Sequence, residues 1–357
     1  MEELLKTPLH AKQQELKTKN VSFCGWDMPI QFDGIIAEHG YCRNDVALFD
    51  TSHMGEFFFK GDIKNSGINE ATSVNIDALD IGKCKYGFLL NEQGGVMDDL
   101  IIYRLSEDEL MIVVNAATRE NDFTTINSRI NHAILEDRSM EYAKLDVQGP
   151  NSKKILEKYF GTTLDELAFF SFAQTKVFDS DCLLSRTGYT GELGYELYVD
   201  NTTSVKLWDA LIADGVKPAG LGARDILRLE MGYSLYGNDL SEDITPLEAN
   251  LGKFVNLKRD YVGKAALEKQ KEDGLQRILL PFKTTTRRSA RKDFEVYQND
   301  KKVGFVTSGA FSPILNVGVG LAMIDIDGFD KEQSIELRDK RSSIEANIAS
   351  LPFIQNK

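Results

Sequence analysis

Apolar and polar positions follow two periods along the chain, one typical of strands and one typical of helices. Residues 100–105 and 110–114 are apolar and rich in β-branched side chains, and a short polar stretch separates them. This pattern predicts an antiparallel hairpin. Residues 182–186 and 195–199 predict a second hairpin around the glycine-rich connection at 188–194.

Helical spacing is visible in three segments. Ile155, Leu156 and Tyr159 share one face of a predicted helix, and residues 148–152 end a strand and supply its N-cap candidates. The same spacing recurs at Val205, Trp208, Leu211 and Ile212, with Gly215 as a stop, and again through 265–267 until Asp273 and Gly274.

The pattern changes beyond Gly274, where short strands dominate from 275 to 353. An Asn299–Asp300 turn separates apolar segments at 295–297 and 303–306. These features predict a separate C-terminal β-barrel or sandwich that begins near residue 276. Because strands and helices alternate irregularly before that point, the chain is predicted to be α+β and not a doubly wound sheet.

Length and composition are those of a globular protein with a sizeable core. The chain has 357 residues, of which 42% are hydrophobic and 27% are charged, so two or three domains are expected. No apolar run reaches the roughly 20 residues that a membrane span needs. The start, 1–6, lacks the features of a signal peptide, and we expect a cytoplasmic protein without a membrane partner.

The charge balance and the sparse cysteines and histidines argue against several functions. A net charge of -13 repels phosphate backbones, so nucleic acid is not an expected partner. The four cysteines form no C-x-x-C pair, and no two of the four histidines lie three or four residues apart. We therefore expect reduced thiols and no metal site.

Asp98 and Asp99 follow a Gly-Gly turn at the mouth of the first predicted hairpin. Successive strand residues face opposite sides, so the two carboxylates cannot both point into one pocket if the strand begins there. An aspartate in such a position is often a turn residue that bonds its own backbone. The pattern alone leaves both that role and a catalytic role open.

The segment 186–196 carries three glycines within seven residues, which lets the backbone approach a ligand closely. It ends at Glu196, between two bulky neighbours on a predicted strand. This carboxylate is either exposed on the polar side of the strand or buried with hydrogen-bond donors.

Residues 220–230 predict a helix start flanked by glycines. Arg224 and Arg228 are four residues apart on one helix face, where like charges repel. An anion between them would relieve this, either a ligand or the nearby Asp225 and Glu230. Both possibilities stay open, and the glycines lack the spacing of a dinucleotide fingerprint.

His53 and Glu56, three residues apart, are predicted either to be a satisfied polar pair or to belong to a site. Trp26, Tyr86 and Tyr233 are core residues by default. The sequence contains no G-x-S-x-G motif and no cysteine beside a histidine in a familiar setting, so a nucleophilic triad is not predicted.

Eleven segments, taken together and in order, resemble the T-protein (aminomethyltransferase) family of the glycine cleavage system over nearly the whole chain. They are 7–10, 25–29, 48–56, 94–100, 114–116, 148–150, 186–192, 220–225, 235–240, 246–248 and 307–313. No single segment is decisive, but their shared order and spacing are specific.

The resemblance implies a three-domain folate-binding fold around a central channel. The first domain would be discontinuous, at 1–50 and 141–245, and the second would be inserted at 51–140. The third, 246–357, would hold a linker helix and then the C-terminal β-barrel from about 276.

The resemblance also implies roles for six residues. Asp99 matches the catalytic aspartate, Glu196 the pterin-edge carboxylate and Arg224 the folate-proximal arginine. Tyr86 and Tyr233 match positions that contact the cofactor in relatives, and Arg291 matches an arginine of the third domain.

These assignments suit tetrahydrofolate. A reduced pterin presents N3–H and the 2-amino group side by side, and one carboxylate can accept both donors. The implied reaction moves an aminomethyl group from the lipoyl arm of a carrier H-protein to tetrahydrofolate, with release of ammonia. One departure lies at 350–353, where relatives often carry a basic residue before the proline-aromatic pair and this chain has Leu351.

Two alternatives differ in substrate or in class. A folate-dependent demethylase of a small methylated compound would keep the fold, but such relatives usually alter segments that are complete here. A non-catalytic folate-binding accessory protein of iron–sulfur assembly would carry a cysteine in the stretch that here spans 248–254, which has none.

Overall fold

The structure, a computed structural model, describes residues 3–355; the first two residues of the start considered above lie outside this range. Its strands are β1 (Lys19–Phe23), β2 (Trp26–Gln31), β3 (Ala47–Asp50), β4 (Gly55–Gly61), β5 (Cys84–Leu90), β6 (Val96–Arg104), β7 (Glu109–Val114), β8 (Ala133–Asp137), β9 (Tyr142–Gln148), β10 (Phe172–Val177), β11 (Ser180–Ser185), β12 (Gly194–Asp200), β13 (Lys217–Pro218), β14 (Arg277–Thr284), β15 (Glu295–Gln298), β16 (Lys301–Ser312), β17 (Val317–Asp325), β18 (Ile335–Arg338) and β19 (Ser343–Ile348).

Its helices are α1 (His10–Glu15), α2 (Ile35–Asn44), α3 (Ile68–Ala71), α4 (Arg119–Arg129), α5 (Ser152–Phe160), α6 (Asn201–Ala213), α7 (Leu221–Glu230) and α8 (Lys264–Asp273), with short 3₁₀ helices at Gly161–Asp165 and Gly252–Phe254. None of the helices within 3–355 is long and apolar enough to cross a membrane.

The chain forms two compact units. The first unit comprises the chain up to Asn69 together with Asn75–Tyr86 and Leu100–Arg224. The second unit comprises Glu70–Val74, Gly87–Asp99 and the chain from Asp225 onward.

A six-stranded sheet dominates the first unit, in the order β10-β11-β12-β9-β3-β13. Its pairs are antiparallel except for the short parallel pair of β13 with β3. The hairpin predicted around the glycine-rich connection is confirmed by the pairing of β11 with β12. Leu145, Val147 and Leu197 of the central strands join a core with Leu156 of α5 and Trp208 of α6.

A second sheet has the strand order β5-β6-β7-β4-β8. The first predicted hairpin is confirmed here, since Ile101 of β6 lies opposite Val113 of β7. Strand β4 is the other neighbour of β7 and also pairs with β8.

The second unit contains a closed barrel in the order β14-β17-β16-β15-β18-β19. Its first strand starts at Arg277, one residue after the start predicted from the sequence. Asn299 and Asp300 both have a left-handed backbone, with φ of 51° and 59°. They connect β15 to β16, which fits the two-residue turn that such residues favour. The mixture of helices and sheets with a C-terminal barrel confirms the α+β class.

All the predicted helices are present, and only the N-cap of α5 differs from expectation. Asn151 precedes α5, but its side chain donates to Asp45 Oδ1 at 2.8 Å instead of capping the helix. The cap of α6 is Asp200, whose carboxylate accepts the N–H groups of Thr202 and Thr203. Gly274 follows α8 with a φ of 83°, a conformation that suits glycine at a helix end.

The four cysteines are free thiols, as expected, and only Cys24 is exposed. Burial raises the pKa of Cys42 and Cys182 to about 12. Burial also raises the pKa of Cys84 and of Cys24.

Candidate active site

The candidate site includes polar side chains on one face of β9. Ala143, Leu145 and Val147 point into the apolar core of the first unit. The alternate residues Lys144 and Asp146 point the other way, and both are nevertheless buried. Because an isolated buried charge is costly, these side chains need partners of opposite charge.

Glu196 of β12 is one of those partners. It is only 3% exposed, so the second of its two predicted environments, burial with donors, is the correct one. Its Oε1 accepts a hydrogen bond from Lys144 Nζ at 2.7 Å, and its Oε2 accepts one from Thr187 Oγ1 at 2.6 Å. The hydroxyls of Tyr103 and Tyr198 lie 3.3 and 3.4 Å from the same Oε2.

The two tyrosines stay protonated beside this carboxylate. Burial, with the neighbouring charge of Glu196, raises the pKa of Tyr103 and of Tyr198 well above the ordinary value. Their bonds to Glu196 are longer than the usual O–H···O distance and therefore weak. A ligand with two adjacent N–H groups can replace them, and Oε1 has a second acceptor direction beside Lys144.

Asp146 joins Glu196 to Arg224. The Asp146 Oδ2 accepts a hydrogen bond from Arg224 Nη1 at 2.8 Å, and its Oδ1 lies 3.5 Å from Lys144 Nζ and accepts from Thr51 at 3.0 Å. Burial acts to raise the pKa of Asp146, but Lys144 and Arg224 outweigh it and hold that pKa below its ordinary value. The carboxylate that binds Arg224 is therefore Asp146, and neither Asp225 nor Glu230, which the sequence had offered as one of two possibilities, pairs with it.

The guanidinium of Arg224 also lies near two aromatic rings. Its central carbon lies 5.9 Å from the ring centre of Phe49 and 5.2 Å from that of Tyr189. The side chain is 13% exposed, so the end of this ion-pair chain reaches the surface of the first unit.

Two glycines of the segment 186–196 leave room for the side chain of Gln148. A Cβ at Gly188 or at Gly194 would lie 2.1 or 2.0 Å from Gln148 Oε1. The Gln148 amide in turn donates to the Thr187 carbonyl and accepts from Thr190. The missing side chains at Gly188 and Gly194 thus allow Gln148 to fix the loop that carries Thr187.

His53 and Glu56 do not form the hydrogen-bonded pair that was one of their predicted roles. Both Glu56 carboxylate oxygens and His53 Nδ1 are buried, and none has a hydrogen-bond partner among residues 3–355. Burial raises the pKa of Glu56 well above its ordinary value. Burial, together with Arg224 and Lys144, lowers the pKa of His53 to about 3. Burial therefore favours the uncharged form of both side chains.

We expect Glu56→Gln to gain stability relative to the unmodified chain as the pH rises above about 4.5. In the folded chain Glu56 keeps its proton where an unfolded chain has lost it, so rising pH lowers the free energy of unfolding by up to about 1.4 kcal/mol per pH unit. The glutamine variant lacks this loss, and His53 titrates equally in both proteins. Denaturant unfolding at several pH values measures the difference, and a pH-independent difference contradicts the argument.

Asp98 and Asp99 lie within β6 and not in the preceding turn. The turn at 91–95 is fixed by Asn91, whose side-chain oxygen accepts the N–H groups of Gln93 and Gly95. Asp98 is fully buried, whereas Asp99 is half-buried. The two carboxylates therefore occupy opposite sides of the strand, as predicted for successive strand residues.

Arg228 is the other arginine of the predicted pair, and it belongs to the second unit. It is 1% exposed and binds Asp239 Oδ2 at 2.8 Å and Asp225 Oδ1 at 2.9 Å. It also donates to the Tyr233 carbonyl and to Ser308 Oγ, each at 2.9 Å. Asp225 was a predicted partner, but Glu230 instead accepts from Ser312 at 2.6 Å.

The remaining predicted residues lie in different surroundings. Tyr86 is half-buried on β5 in the first unit, and Tyr233 is half-buried just after α7 in the second. Arg291 is exposed before β15 and donates to the Gly309 carbonyl at 3.1 Å. Of the six predicted residues, Glu196 and Arg224 thus lie in one ion-pair cluster. Tyr233 accepts a hydrogen bond from Arg228 at its backbone carbonyl.

A cavity of about 260 Å³ in the first unit lies elsewhere, and none of the six predicted site residues lines it. Its lining includes Lys6, Trp26, Ser139, Tyr142 and Asn201.

Sequence reasoning missed Lys144 and Asp146. The alternation of 142–148 is that of a strand with one solvated face, and nothing local shows that this face is covered. The one available signal is a lysine and an aspartate two residues apart on that face, directly before the Gln-Gly-Pro segment.

Comparison with known proteins agrees with this fold along nearly the whole chain. The model of the GCVT N-terminal domain matches residues 9–259, and that of the glycine cleavage T-protein C-terminal barrel domain matches 277–355. Aminomethyltransferases of Listeria innocua and Halothermothrix orenii are each 42% identical to the chain. The alignments cover 99% and 98% of this chain and 99% of each relative.

A solved structure gives the same result. The crystal structure of glycine cleavage system aminomethyltransferase T from Bartonella henselae is 30% identical and covers 99% of both chains with a TM-score of 0.93. The two family models, the full-length relatives and this fold together show that the chain belongs to the T-protein family of the glycine cleavage system.

Proposed function

We propose that the chain is a tetrahydrofolate-dependent aminomethyltransferase. It takes the one-carbon unit from the aminomethyl-dihydrolipoyl group of an H-protein and gives 5,10-methylenetetrahydrofolate, ammonia and the dihydrolipoyl carrier. The observation that supports this best is the buried Glu196 carboxylate, whose ion-pair chain continues through Lys144 and Asp146 to the partly exposed Arg224. The full-length relatives named aminomethyltransferase favour this activity over the demethylase and the iron–sulfur accessory protein.

The chemistry of Glu196 suits the pyrimidine edge of a reduced pterin. That edge offers two parallel N–H donors, and a carboxylate accepts two parallel bonds. Binding would use the spare acceptor direction of Oε1 and replace the weak contacts of Tyr103 and Tyr198 at Oε2. Lys144 and Thr187 would keep their shorter bonds.

Arg224 suits the anionic tail of folate. Only one of its terminal nitrogens is engaged with Asp146, and a guanidinium carries five N–H donors in a planar fork. The remaining donors suit a glutamate carboxylate. In this proposal Tyr86 and Tyr233 supply flat apolar area for the rings, and Arg291 adds positive charge for the tail.

Asp99 carries the catalytic role in this proposal. A carboxylate beside the reactive N5 nitrogen orients that nitrogen and stabilises positive charge that develops there or on an iminium carbon. Orientation of the two reactants is itself worth up to about 7–11 kcal/mol of a barrier. Asp99 would act by position and charge more than by proton transfer.

The three-domain division at 1–50 with 141–245, 51–140 and 246–357 remains a proposal. Short segments of the first 140 residues, 70–74 and 87–99, belong to the second compact unit. Limited proteolysis followed by mass mapping of the fragments would test these boundaries.

We expect Glu196→Gln and Arg224→Gln each to weaken tetrahydrofolate binding by about 10- to 150-fold, because a hydrogen bond to a charged group contributes roughly 1.5–3 kcal/mol. Isothermal titration of the full-length chain with tetrahydrofolate measures the change. Glu136→Gln and Arg341→Gln, at exposed positions, are matched controls and should bind normally.

Binding by both variants with unchanged affinity would rule out the proposed folate site. A parallel assay should compare lipoylated, aminomethyl-loaded H-protein with small methylated amines as donors. Release of ammonia only with the loaded carrier supports the aminomethyltransferase, and turnover only of a methylated amine overturns it.

A further inference from the structure

Lys144 lies between two buried carboxylates of the candidate site. Its Nζ is 2.7 Å from Glu196 Oε1, 3.5 Å from Asp146 Oδ1 and 3.6 Å from the sulfur of Met54. The side chain is 3% exposed, and those of Asp146 and Glu196 are 0% and 4% exposed. One buried ammonium group therefore lies beside two buried carboxylates, and bulk water reaches none of the three.

The two carboxylates need a cation because of their register. Glu196 of β12 lies directly opposite Asp146 of β9 in an antiparallel pair. Like charges in that position destabilise a sheet, and low polarity strengthens their repulsion. Arg224 binds the far oxygen of Asp146 at 2.8 Å and has no bond to Glu196. Lys144 is thus the cation that donates to Glu196.

We propose that Lys144 is a positioning residue that keeps the Glu196 carboxylate ionised and oriented to accept both N–H donors of a pterin. This inference rests on the proposed function of Glu196. A protonated Glu196 would present an O–H donor to the pterin donors and lose one of its two acceptor bonds. Because Asp146 keeps Arg224 and Thr51 as partners, Glu196 is the group that would take up a proton if Lys144 were absent.

The other titratable groups around Lys144 and Glu196 do not supply the missing positive charge. Burial favours the uncharged forms of His53 and Glu56, and a carboxylate carries no positive charge in either form. The tyrosine and cysteine neighbours are also neutral, since burial raises the pKa of each. The groups that act electrostatically on Lys144 or Glu196 are His53, Glu56, Cys84, Tyr103, Asp146, Tyr198 and Arg224. Arg119 and Asp137 act on the neighbouring Glu56, and the charge of Arg224 is paired with Asp146.

The test measures tetrahydrofolate affinity of full-length Lys144→Met between about pH 6.5 and 9. We expect about 10- to 100-fold weaker binding at pH 7, because a protonated Glu196 loses one of its two hydrogen bonds to the pterin, and a hydrogen bond to a charged group contributes roughly that much. Affinity should recover as the pH rises and Glu196 ionises, whereas the unmodified chain should vary little. Lys176→Met, at an exposed lysine on β10 of the same sheet, is the matched control and should bind normally.

A double variant separates positioning from a general structural role. In Lys144→Met/Asp146→Asn the opposing negative charge is also gone, and the asparagine still offers an oxygen to Arg224. We expect this variant to recover most of the affinity at pH 7. It also keeps the inference testable if Lys144→Met alone does not fold, which circular dichroism would show.

Three results would overturn the assignment. The first is that Lys144→Met binds tetrahydrofolate with the affinity and pH profile of the unmodified chain. The second is that its binding stays weak at every pH and the folded double variant does not recover affinity. In both cases Glu196 can still be the pterin acceptor, and only the role of Lys144 is lost. If the unmodified chain itself does not bind tetrahydrofolate, the proposed function fails and this inference fails with it.

Discussion

Asp99→Ala is expected to lower kcat by about 10²- to 10³-fold, the usual effect of removing one preorganised electrostatic group from an active site. The fold and tetrahydrofolate affinity should be retained, because the proposal assigns pterin binding to Glu196 and not to Asp99. Asp99→Asn keeps the shape of the side chain, so an equal loss in that variant would assign the effect to charge. Steady-state assays with loaded H-protein and tetrahydrofolate measure it.

The neighbouring Asp98 offers a control on the same strand. It is fully buried on the opposite side of β6 from Asp99. Asp98→Asn should lower the melting temperature and leave kcat of the folded protein largely intact. An Asp99 variant with a near-normal rate would refute the catalytic assignment, and so would an equal loss of kcat in the Asp98 variant.

Arg228→Met is expected to have the largest effect on stability, lowering the free energy of unfolding by about 3–5 kcal/mol. The substitution leaves Asp239 buried without its cation, since this carboxylate is 0% exposed and accepts the arginine at 2.8 Å. It also removes the donors to the Tyr233 carbonyl and Ser308. Denaturant titration, followed by hydrogen exchange in the second unit, measures the change.

An exposed ion pair in the same unit is the matched control. Lys302 binds Glu295 at 2.6 Å with both side chains about half exposed. Lys302→Met should cost less than about 1 kcal/mol, as is usual for surface pairs. If Arg228→Met costs no more than Lys302→Met, the buried network contributes little and the expectation fails.

The sequence predicted elements well where the signal is local. The apolar runs at 100–105 and 110–114 favour a hairpin by themselves, because the runs and the polar break between them are properties of adjacent residues. The barrel was predictable for the same reason, since Asn299 and Asp300 tolerate the left-handed turn that joins two of its strands.

The ion-pair partners in the candidate site were not predictable from local patterns. Arg224 and Arg228 are one helical turn apart, so local reasoning gave them shared partners. In the structure Arg224 binds Asp146, 78 residues earlier in the chain, and Arg228 binds Asp239, 11 residues later, in addition to the neighbouring Asp225. Glu196 likewise pairs with Lys144, 52 residues away. Such pairs depend on strand order, which the pattern of a single strand does not contain.

The uneven burial of the four thiols has a practical consequence. Cys24 sits at the turn between β1 and β2, and the other three are enclosed in the first unit. A maleimide fluorophore should therefore couple to the native chain at one place, faster at alkaline pH because the pKa of Cys24 is raised. The rate at which a second dye couples would then measure how often the interior around the buried thiols opens transiently.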